Sequence, residues 1–224
     1  MIRLHHVPFS RSFRVLWLLE ELALEYEIVS YSIRDGSLRD PAFLAVSPAG
    51  RVPALEVPAL EVPGRVMFES GAIVQVLCEE HAGAGLAPAV GHPDRARYLE
   101  MIGYAETMAG LIEQLNLQHL FLRPPAKPSA VVIKLTTARL AAVMAGLEAV
   151  LGRQEYLLPM GFSGADIMMG FNLFAAPYYV RLARFPVLSA YKTRLEARPA
   201  FQAAQAKDGK QEFYAQEFYP VPEE

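Results

Sequence analysis

Serine and arginine residues gather at the start of an apolar helical stretch near the N-terminus. Residues 8–22 read PFSRSFRVLWLLEEL, so the first turn carries Ser10, Arg11, Ser12 and Arg14. The positive end of a helix usually favours acidic residues, which makes the two arginines a mismatch. An anion bound to the free backbone N–H groups would resolve the mismatch, and so would exposure to solvent or pairing with Glu21. Both explanations stay open at this point.

A serine also opens a second helical stretch. Glu69-Ser70 follows a β-branched segment and precedes GAIVQVLCEE. Serine is a favoured N-cap, because its hydroxyl accepts a hydrogen bond from a backbone N–H of the first turn. The same position suits an anionic ligand, since the helix N-terminus is positive. Ser70 is therefore predicted to be a cap, an anion-binding residue, or both.

Five residues are repeated between these two segments. Val-Pro-Ala-Leu-Glu occurs at residues 52–56 and again at 57–61, so Pro53 and Pro58 occupy equivalent positions. An insertion of this size costs little in a hairpin tip, because loop-closure entropy grows only with the logarithm of loop length. One copy is therefore predicted to lengthen a hairpin.

The elements that would position these residues form two regions. Up to about residue 82, β-branched segments at 2–6, 27–33 and 65–68 alternate with helical ones, which is typical of a small α/β unit. The stretch that follows is rich in Gly, Ala and Pro, and beyond it only helical patterns occur. We predict an α/β domain at 1–82, a linker at 83–91 and an all-helical domain at 92–224.

The second region predicts two long helices and a buried one. Residues 95–122 and 130–151 carry apolar residues at helical spacing, and three prolines separate them. The segment FSGADIMMGF fits a capping box, in which Ser163 accepts from the Asp166 amide and Asp166 reaches back. The box marks the start of the buried helix.

Composition narrows the function classes. A chain of 224 residues with 53% hydrophobic residues and a net charge of −3 can build proper cores, and nothing in that balance indicates nucleic-acid binding. The longest apolar run that we identify, 167–180, is interrupted and shorter than the roughly 20 residues of a membrane span, and no export signal is recognisable. A single cysteine and five histidines exclude an internal disulfide and do not favour a structural zinc cluster.

Four motifs together resemble the glutathione transferase family: SRSFRVLWLLEELALEYE, DPAFLAVSPAGRVPALEV, FESGAI and FSGADI, in the family's order. The first is most similar to the bacterial and fungal branch whose first helix begins Ser-Arg-(Ser/Ala)-Phe-Arg. The resemblance runs to about residue 200. It implies an α/β plus all-α fold: a thioredoxin-like domain with a mixed four-stranded sheet that binds glutathione, and an all-helical domain that shapes a hydrophobic substrate pocket. It also implies a cytoplasmic homodimer.

The resemblance assigns roles in glutathione binding. In the family a cis-proline begins the third strand, and the residue before it pairs its backbone with the cysteinyl part of glutathione. Counting from SPAGRVP gives Val52-Pro53, whereas counting back from Glu69 gives Pro58. We favour Val52-Pro53, because an insertion ahead of the cis bond would shift the backbone that contacts the ligand. Ser70 would hold the γ-glutamyl carboxylate, and Glu69 the amine. The glutathione-binding candidates are Arg51, Val52, Pro53, Glu69 and Ser70.

The implied chemistry is ionisation of the glutathione thiol. An ordinary pKa of about 8.5 leaves only a few per cent thiolate at neutral pH. Lowering that pKa by about two units takes roughly 2.7 kcal/mol. A donating hydroxyl supplies about 1.5–3 kcal/mol, and a helix N-terminus up to about 1 kcal/mol. Ser10 matches the hydroxyl of serine-type members, with Ser12 nearby, whereas Arg11 stands where some branches have a cysteine and could stabilise the thiolate by charge.

The remaining candidates have weaker signals. Phe9, Tyr104 and Met108 are candidates for the hydrophobic pocket, although an apolar helical stripe is more often core. Strand alternation should send one of His5 and His6 inward and the other outward, both in packing roles. We also expect Cys78 to be a buried packing thiol. The aromatic tail at 211–220 could cover the cleft or dock on the surface.

Two functions therefore follow from the sequence. The first is an enzyme that conjugates glutathione to hydrophobic electrophiles or reduces organic hydroperoxides, with glutathione as co-substrate and no metal. The second is a non-catalytic transferase-fold protein for binding or scaffolding, which the repeat beside the site would suit.

Overall fold

The computed structural model describes residues 1–57 and 65–222, in two compact units. The first unit consists of Met1–Ala89 with Ala197–Glu212, and the second of Val90–Glu196 with Phe213–Glu224. The strands are β1 (Ile2–His6), β2 (Tyr26–Ser30), β3 (Ala54–Val57) and β4 (Arg65–Phe68). The helices are α1 (Ser12–Glu21), α2 (Pro41–Val46), α3 (Ser70–Glu80), α4 (Arg95–Asn116), α5 (Ala130–Leu151), α6 (Gly164–Ala175), α7 (Pro186–Glu196) and α8 (Pro199–Asp208).

The first unit is built on a mixed four-stranded sheet, as the sequence predicts. The strand order is β2-β1-β3-β4, with β1 parallel to β2 and antiparallel to β3. Leu4 of β1 stands opposite Leu55 of β3, and both side chains are completely buried. Pro58 and the second copy of the repeat lie outside the described residues. Val57 pairs with Arg65, and β3 and β4 form an antiparallel pair.

Helix α1 is an interior helix. Its consecutive residues from Val15 to Leu19 are fully buried, as expected for a helix whose apolar stripe covers most of its surface. It packs on α3 and on α8. The ring of Phe201 in α8 meets Trp17 edge-on, with centroids 5.0 Å apart, and Phe13 at 5.5 Å.

The last helix therefore belongs with the sheet. From the sequence, residues 92–224 are predicted to form one helical domain. In the structure α8 belongs to the first unit, because it packs against α1 and buries the aromatic side chains on that face of α1. A bidentate ion pair closes the same contact, with the Arg198 guanidinium 2.7 and 2.8 Å from the Glu21 carboxylate. Glu21 is thus a partner of Arg198.

The second unit is helical. Helix α4 packs on α5 and on α6, whose residues are almost all buried. The predicted capping box starts α6: the Ser163 N–H donates to Asp166 at 2.8 Å, and Ser163 accepts in return. Tyr191 and the Leu157 N–H also donate to Asp166, while burial raises the pKa of this carboxyl group.

Helix α5 begins and ends at the residues that periodicity predicts. By length and by a mean hydropathy of 1.6 it could also cross a membrane. Core helices can have the same length and composition, and α5 packs against α4 and α7. This feature was not identified from the sequence.

The aromatic tail docks within the helical unit. The ring of Tyr214 stacks on Tyr178 with centroids 3.8 Å apart, and its hydroxyl donates to Asn116 at 2.9 Å. The Tyr219 N–H donates to the Tyr178 carbonyl at 2.8 Å.

Candidate functional site

Three chain segments meet at one end of the sheet. His5 of β1 pairs with Ala54 of β3, which in turn pairs with Phe68 of β4. Because β1 and β4 both run antiparallel to β3, the end of β1, the start of β3 and the end of β4 are neighbours. The loop that contains Ser10 comes after the end of β1. The Val52-Pro53 pair comes immediately before the start of β3, and Glu69-Ser70 comes immediately after the end of β4. The register thus brings together candidate residues that lie up to 60 positions apart in the sequence.

The two serines of the first turn are directly linked. Their Oγ atoms are 2.8 Å apart, and the Ser12 N–H donates to the Ser10 hydroxyl at 3.3 Å. Ser12 is completely buried, whereas Ser10 is half-buried. Ser10 is therefore the outer hydroxyl, the one that a ligand could reach, and Ser12 lies behind it.

Both histidines of β1 are buried, which corrects the expectation that one of them points outward. His5 is 5% exposed and His6 1%. The sheet is covered on both faces: Tyr31 and Phe43 pack on His5, while His6 contacts Ser12 and Asp208. Both rings have polar partners, which the sequence did not reveal, because these partners lie up to 202 positions away.

The Val52–Pro53 peptide bond is cis, as predicted. A turn held by Ser47 leads into it: the Ser47 hydroxyl donates to the Arg51 carbonyl at 2.7 Å and accepts from the Arg51 N–H at 3.3 Å. Gly50 has a φ of 60°, and a Cβ there would approach the Leu38 carbonyl oxygen to 2.7 Å. Pro53 is buried, while Arg51 is exposed. The turn fixes the backbone that precedes β3.

Ser70 is the first residue of α3, and Glu69 occupies the cap position. The expectation that Ser70 is the N-cap is therefore wrong, since its hydroxyl has another role: it accepts a hydrogen bond of 2.9 Å from Arg14 Nη1. Arg14 is fully buried and reaches α3 from α1. Sequence reasoning noticed Arg14 as a mismatch but did not predict this contact. The sequence signal for such a contact is a charged residue on a helix that is otherwise apolar and buried, because a buried charge requires a partner.

Strained backbone flanks the site. Phe9 and Glu69 have φ values of 56° and 71°, in the left-handed region that side-chain-bearing residues rarely adopt. Such conformations cost about 1–3 kcal/mol each and persist where the surroundings determine them, often at ligand sites. The loop before α1 and the turn before α3 therefore each contain one residue that its surroundings keep in a left-handed conformation. In the loop, the Phe9 N–H donates to Asp208 at 3.0 Å.

The two pocket candidates of the helical unit differ in exposure, since Met108 lies in the core whereas Tyr104 is half-buried. Met108 is completely buried, and the Tyr104 hydroxyl donates to the Val143 carbonyl at 2.9 Å, while burial raises the pKa of Tyr104. Phe9 is half-buried in the first unit. Cys78 is buried on α3, as expected. The structure therefore brings together the candidates for glutathione binding and thiol activation, and places Tyr104 and Met108 within the packing of α4.

The geometry favours binding of an anion and polarisation of a thiol. A buried guanidinium, a serine and the positive start of α3 occupy one side of the site. Ser10 and the start of α1 occupy the other. A molecule with a carboxylate at one end and an ionisable thiol further along would match both.

Comparisons with known proteins point to one family. Residues 1–78 match the family model described as "Glutathione S-transferase, N-terminal domain". A curated relative, glutathione S-transferase 3 of Zea mays, is 30% identical over 211 residues, covering 90% of this chain and 91% of the relative.

Solved structures are similar as well. A glutathione S-transferase of a sphingomonad, in complex with glutathione, superimposes with a TM-score of 0.79 at 26% identity, covering 92% of this chain and 98% of that one. A glutathione transferase homolog of Lodderomyces elongisporus, with two glutathione molecules per subunit, has a TM-score of 0.85 at 19% identity, with coverage of 92% and 98%. This second likeness concerns the fold alone.

Proposed function

Since the chain belongs to the glutathione S-transferase family, we propose that it binds glutathione, ionises its thiol and transfers it to hydrophobic electrophiles. One observation carries this proposal: the sheet register places the loop with Ser10, the cis Val52–Pro53 bond and the start of α3 side by side.

Glutathione would lie along these three segments. The Val52 backbone pairs with the cysteinyl part as an added strand would, next to Arg51 and Pro53. The γ-glutamyl carboxylate binds at the start of α3, where Ser70 is supported by Arg14 at 2.9 Å. Glu69 accepts from the ligand's amine. The negative carboxylate of the ligand would thus meet the positive start of α3, and its positive amine would meet the Glu69 carboxylate.

Ser10 is the group that would stabilise the thiolate. Its hydroxyl is half-buried and lies beside the start of α1, so it can donate to a sulfur anion. Ser12 is fully enclosed and cannot make this contact itself. Arg11 is half-buried beside Ser10, and its charge is the alternative source of stabilisation.

The remaining features are proposed from the family resemblance. They are a hydrophobic second substrate near Phe9, reduction of organic hydroperoxides, a cytoplasmic role in detoxification and assembly as a homodimer. The buried state of Met108 argues against its direct contact with a substrate. Light scattering would determine the oligomeric state directly.

The first test is retention on immobilised glutathione, followed by a conjugation assay with an aryl halide and an assay with an organic hydroperoxide. We expect Ser10→Ala to lower kcat/KM about 10- to 100-fold, because a hydrogen bond to an ion contributes about 1.5–3 kcal/mol. The pKa of the bound thiol should rise with it. Ser10→Thr, which keeps the hydroxyl, is the matched control.

The outcomes separate the candidate functions. Full activity and an unchanged thiol pKa in Ser10→Ala would remove Ser10 as the thiolate-stabilising group and leave Arg11. A wild-type protein that is retained but catalyses neither reaction, or is not retained at all, would favour the binding or scaffolding protein.

A further inference from the structure

A hydrogen-bonded chain runs inward from Ser10 to the last helix of the first unit. The Ser10 and Ser12 Oγ atoms are 2.8 Å apart, and Ser12 Oγ is 2.8 Å from Nδ1 of His6. On its other side, His6 Nε2 lies 3.1 Å from the Asp208 carbonyl oxygen and 3.2 Å from its carboxylate Oδ1. Four residues from β1, α1 and α8 are thus connected without a gap.

The surroundings of His6 fix its tautomer. Both oxygens of Asp208 that face Nε2 can only accept when the carboxylate is ionised, so Nε2 carries a hydrogen. Nδ1 of the neutral ring is then an acceptor, and the Ser12 hydroxyl must donate to it. The approach to Oδ1 is poorly aligned, and within the described part of the chain this oxygen accepts no well-formed hydrogen bond. The carboxylate is nevertheless close enough to stabilise a positive charge on the ring.

The tautomer sets the direction of the whole chain. Ser12 has a single hydroxyl proton and gives it to His6 at 2.8 Å, which is a shorter contact than the 3.2 Å to the Val7 carbonyl. It therefore accepts from Ser10, and also from the Val7 N–H at 3.3 Å. The Ser10 proton therefore points inward, away from a ligand. Ser10 can donate to a thiolate only after the chain has been reversed, and the reversal requires one additional proton on His6.

We propose, on the premise that the chain activates glutathione, that the thiol itself supplies this proton. The S–H bond breaks, and its proton goes to Ser10 Oγ. The Ser10 proton moves to Ser12, and the Ser12 proton moves to Nδ1 of His6. One proton has then left sulfur and one has reached the ring, so the products are a thiolate that accepts from Ser10 and an imidazolium beside the Asp208 carboxylate. After the conjugate has left, the proton returns through the same two hydroxyls to water.

The residues behind Ser10 are held as such a relay requires. His6 is 1% exposed and Ser12 is fully buried, so water does not compete for the inner bonds. The Phe9 N–H anchors the other carboxylate oxygen of Asp208 at 3.0 Å. In the described part of the chain, the Asp208 carboxylate faces Nε2 of His6 and the Ser12 hydroxyl faces Nδ1, while the Tyr31 N–H donates to the His6 carbonyl at 2.8 Å. In this arrangement Ser12, His6 and Asp208 are positioning residues for Ser10.

His5 provides a matched control on the same strand. It is also buried and also lies beside a carboxylate, with Nε2 2.7 Å from Glu56 and Nδ1 2.9 Å from the Tyr31 hydroxyl. It has no contact with either serine of the relay. A change at His5 disturbs β1 as much as a change at His6 but leaves the relay complete.

The test compares His6→Gln and Asp208→Asn with His5→Gln. Ultraviolet absorbance of the bound thiolate gives the pKa of the thiol, stopped-flow absorbance of the same band gives the rate at which the thiolate forms after mixing, and calorimetry gives glutathione affinity. We expect both relay variants to bind glutathione within about twofold of wild type, to form the thiolate about 10- to 100-fold more slowly and to hold less thiolate at neutral pH. His5→Gln should match wild type in all three measurements.

A measurement on the unmodified protein avoids any effect of substitution on folding. In ¹⁵N-histidine NMR spectra, His6 should be the neutral Nε2–H tautomer without glutathione and the imidazolium with it. A neutral His6 beside an ionised thiol, or relay variants that form the thiolate at the wild-type rate, would overturn the relay while leaving glutathione activation intact. A wild-type protein that neither binds nor ionises glutathione would instead overturn the proposed function.

Discussion

At the scale of single residues, the site depends on charges that are buried and oriented. Arg14 is the clearest case, because a fully buried guanidinium is costly unless it has partners. One of its partners is the Ser70 hydroxyl at the start of α3. Its charge adds to the positive helix end, so this side of the site attracts a carboxylate more strongly than α3 would alone.

Replacing Arg14 should separate binding from activation. Arg14→Met keeps much of the side-chain volume but removes the charge, so we expect glutathione affinity to fall about tenfold or more, corresponding to about 1.4 kcal/mol. The pKa of the bound thiol should change little, because Ser10 is intact. Calorimetry and thiolate absorbance measure the two quantities. Arg3→Met, at an exposed arginine of the same unit, should leave both unchanged; a loss of thiolate in Arg14→Met at unchanged affinity would contradict this assignment.

The sequence names candidates for the outer positions of the proposed site but not for the inner ones. Ser10, Pro53 and Ser70 are candidates because each lies in a short motif that resembles the family's, and the cis bond before Pro53 is confirmed. Asp208 could not, since its contact with His6 joins residues 202 positions apart and no local pattern marks it. His6 was interpreted as a packing residue for the same reason: its polar partners come from other elements.

At the scale of elements, prediction succeeded where the pattern was long. Helix α5 repeats its apolar spacing over 22 residues, and its bounds match the prediction. Helix α2 has only six residues and was missed, because so short a segment carries less than two turns of periodicity. Helix α8 was missed too, since the surface it buries is provided by Phe13 and Trp17 far away in the chain.

The turn before β3 offers a test at this scale. Gly50→Ala would place a Cβ 2.7 Å from the Leu38 carbonyl at a φ of 60°, so the turn must shift. We expect a loss of about 1–3 kcal/mol in the free energy of unfolding and a weaker affinity for glutathione, because Val52 follows two residues later. Chemical denaturation and calorimetry measure these effects.

Gly36→Ala is the control for this substitution. Gly36 also has a positive φ, of 85°, but a Cβ there meets nothing within 4 Å. Gly36→Ala should therefore introduce the strain of a positive φ without displacing neighbouring atoms, and its affinity for glutathione should stay at the wild-type value. Equal loss of affinity in both variants would mean that the turn does not position Val52.

At the scale of the whole molecule, the first unit is assembled from two separate parts of the chain. The path leaves it after Ala89 and returns at Ala197 to add α8. The ion pair of Arg198 with Glu21 and the aromatic contacts of Phe201 close this second part onto the first. The sequence boundary near residue 82 marks where the α/β pattern gives way to helices alone. A single boundary cannot describe a unit that is built from two separate segments of the chain.

Separating the two parts should prevent folding. A chain ending at Ala89 leaves Phe13 and Trp17 without the cover of α8, and we expect it to lack the near-ultraviolet circular dichroism of a fixed Trp17. Joining residues 197–212 to it through a flexible Gly/Ser linker should restore that signal. A folded 1–89 chain with native-like unfolding cooperativity would show that α8 is dispensable for the unit.

The order of synthesis gives the placement of Asp208 a further consequence. A ribosome adds about 5–20 residues per second, so translating Val90–Glu196 takes roughly 5–20 s after the sheet segments have been made. During that interval the nascent protein holds Ser10, Pro53 and Ser70 but not the carboxylate that faces His6. A polypeptide released early would lack the negative charge beside the proposed proton acceptor, and its uncovered aromatic residues would mark it for chaperones.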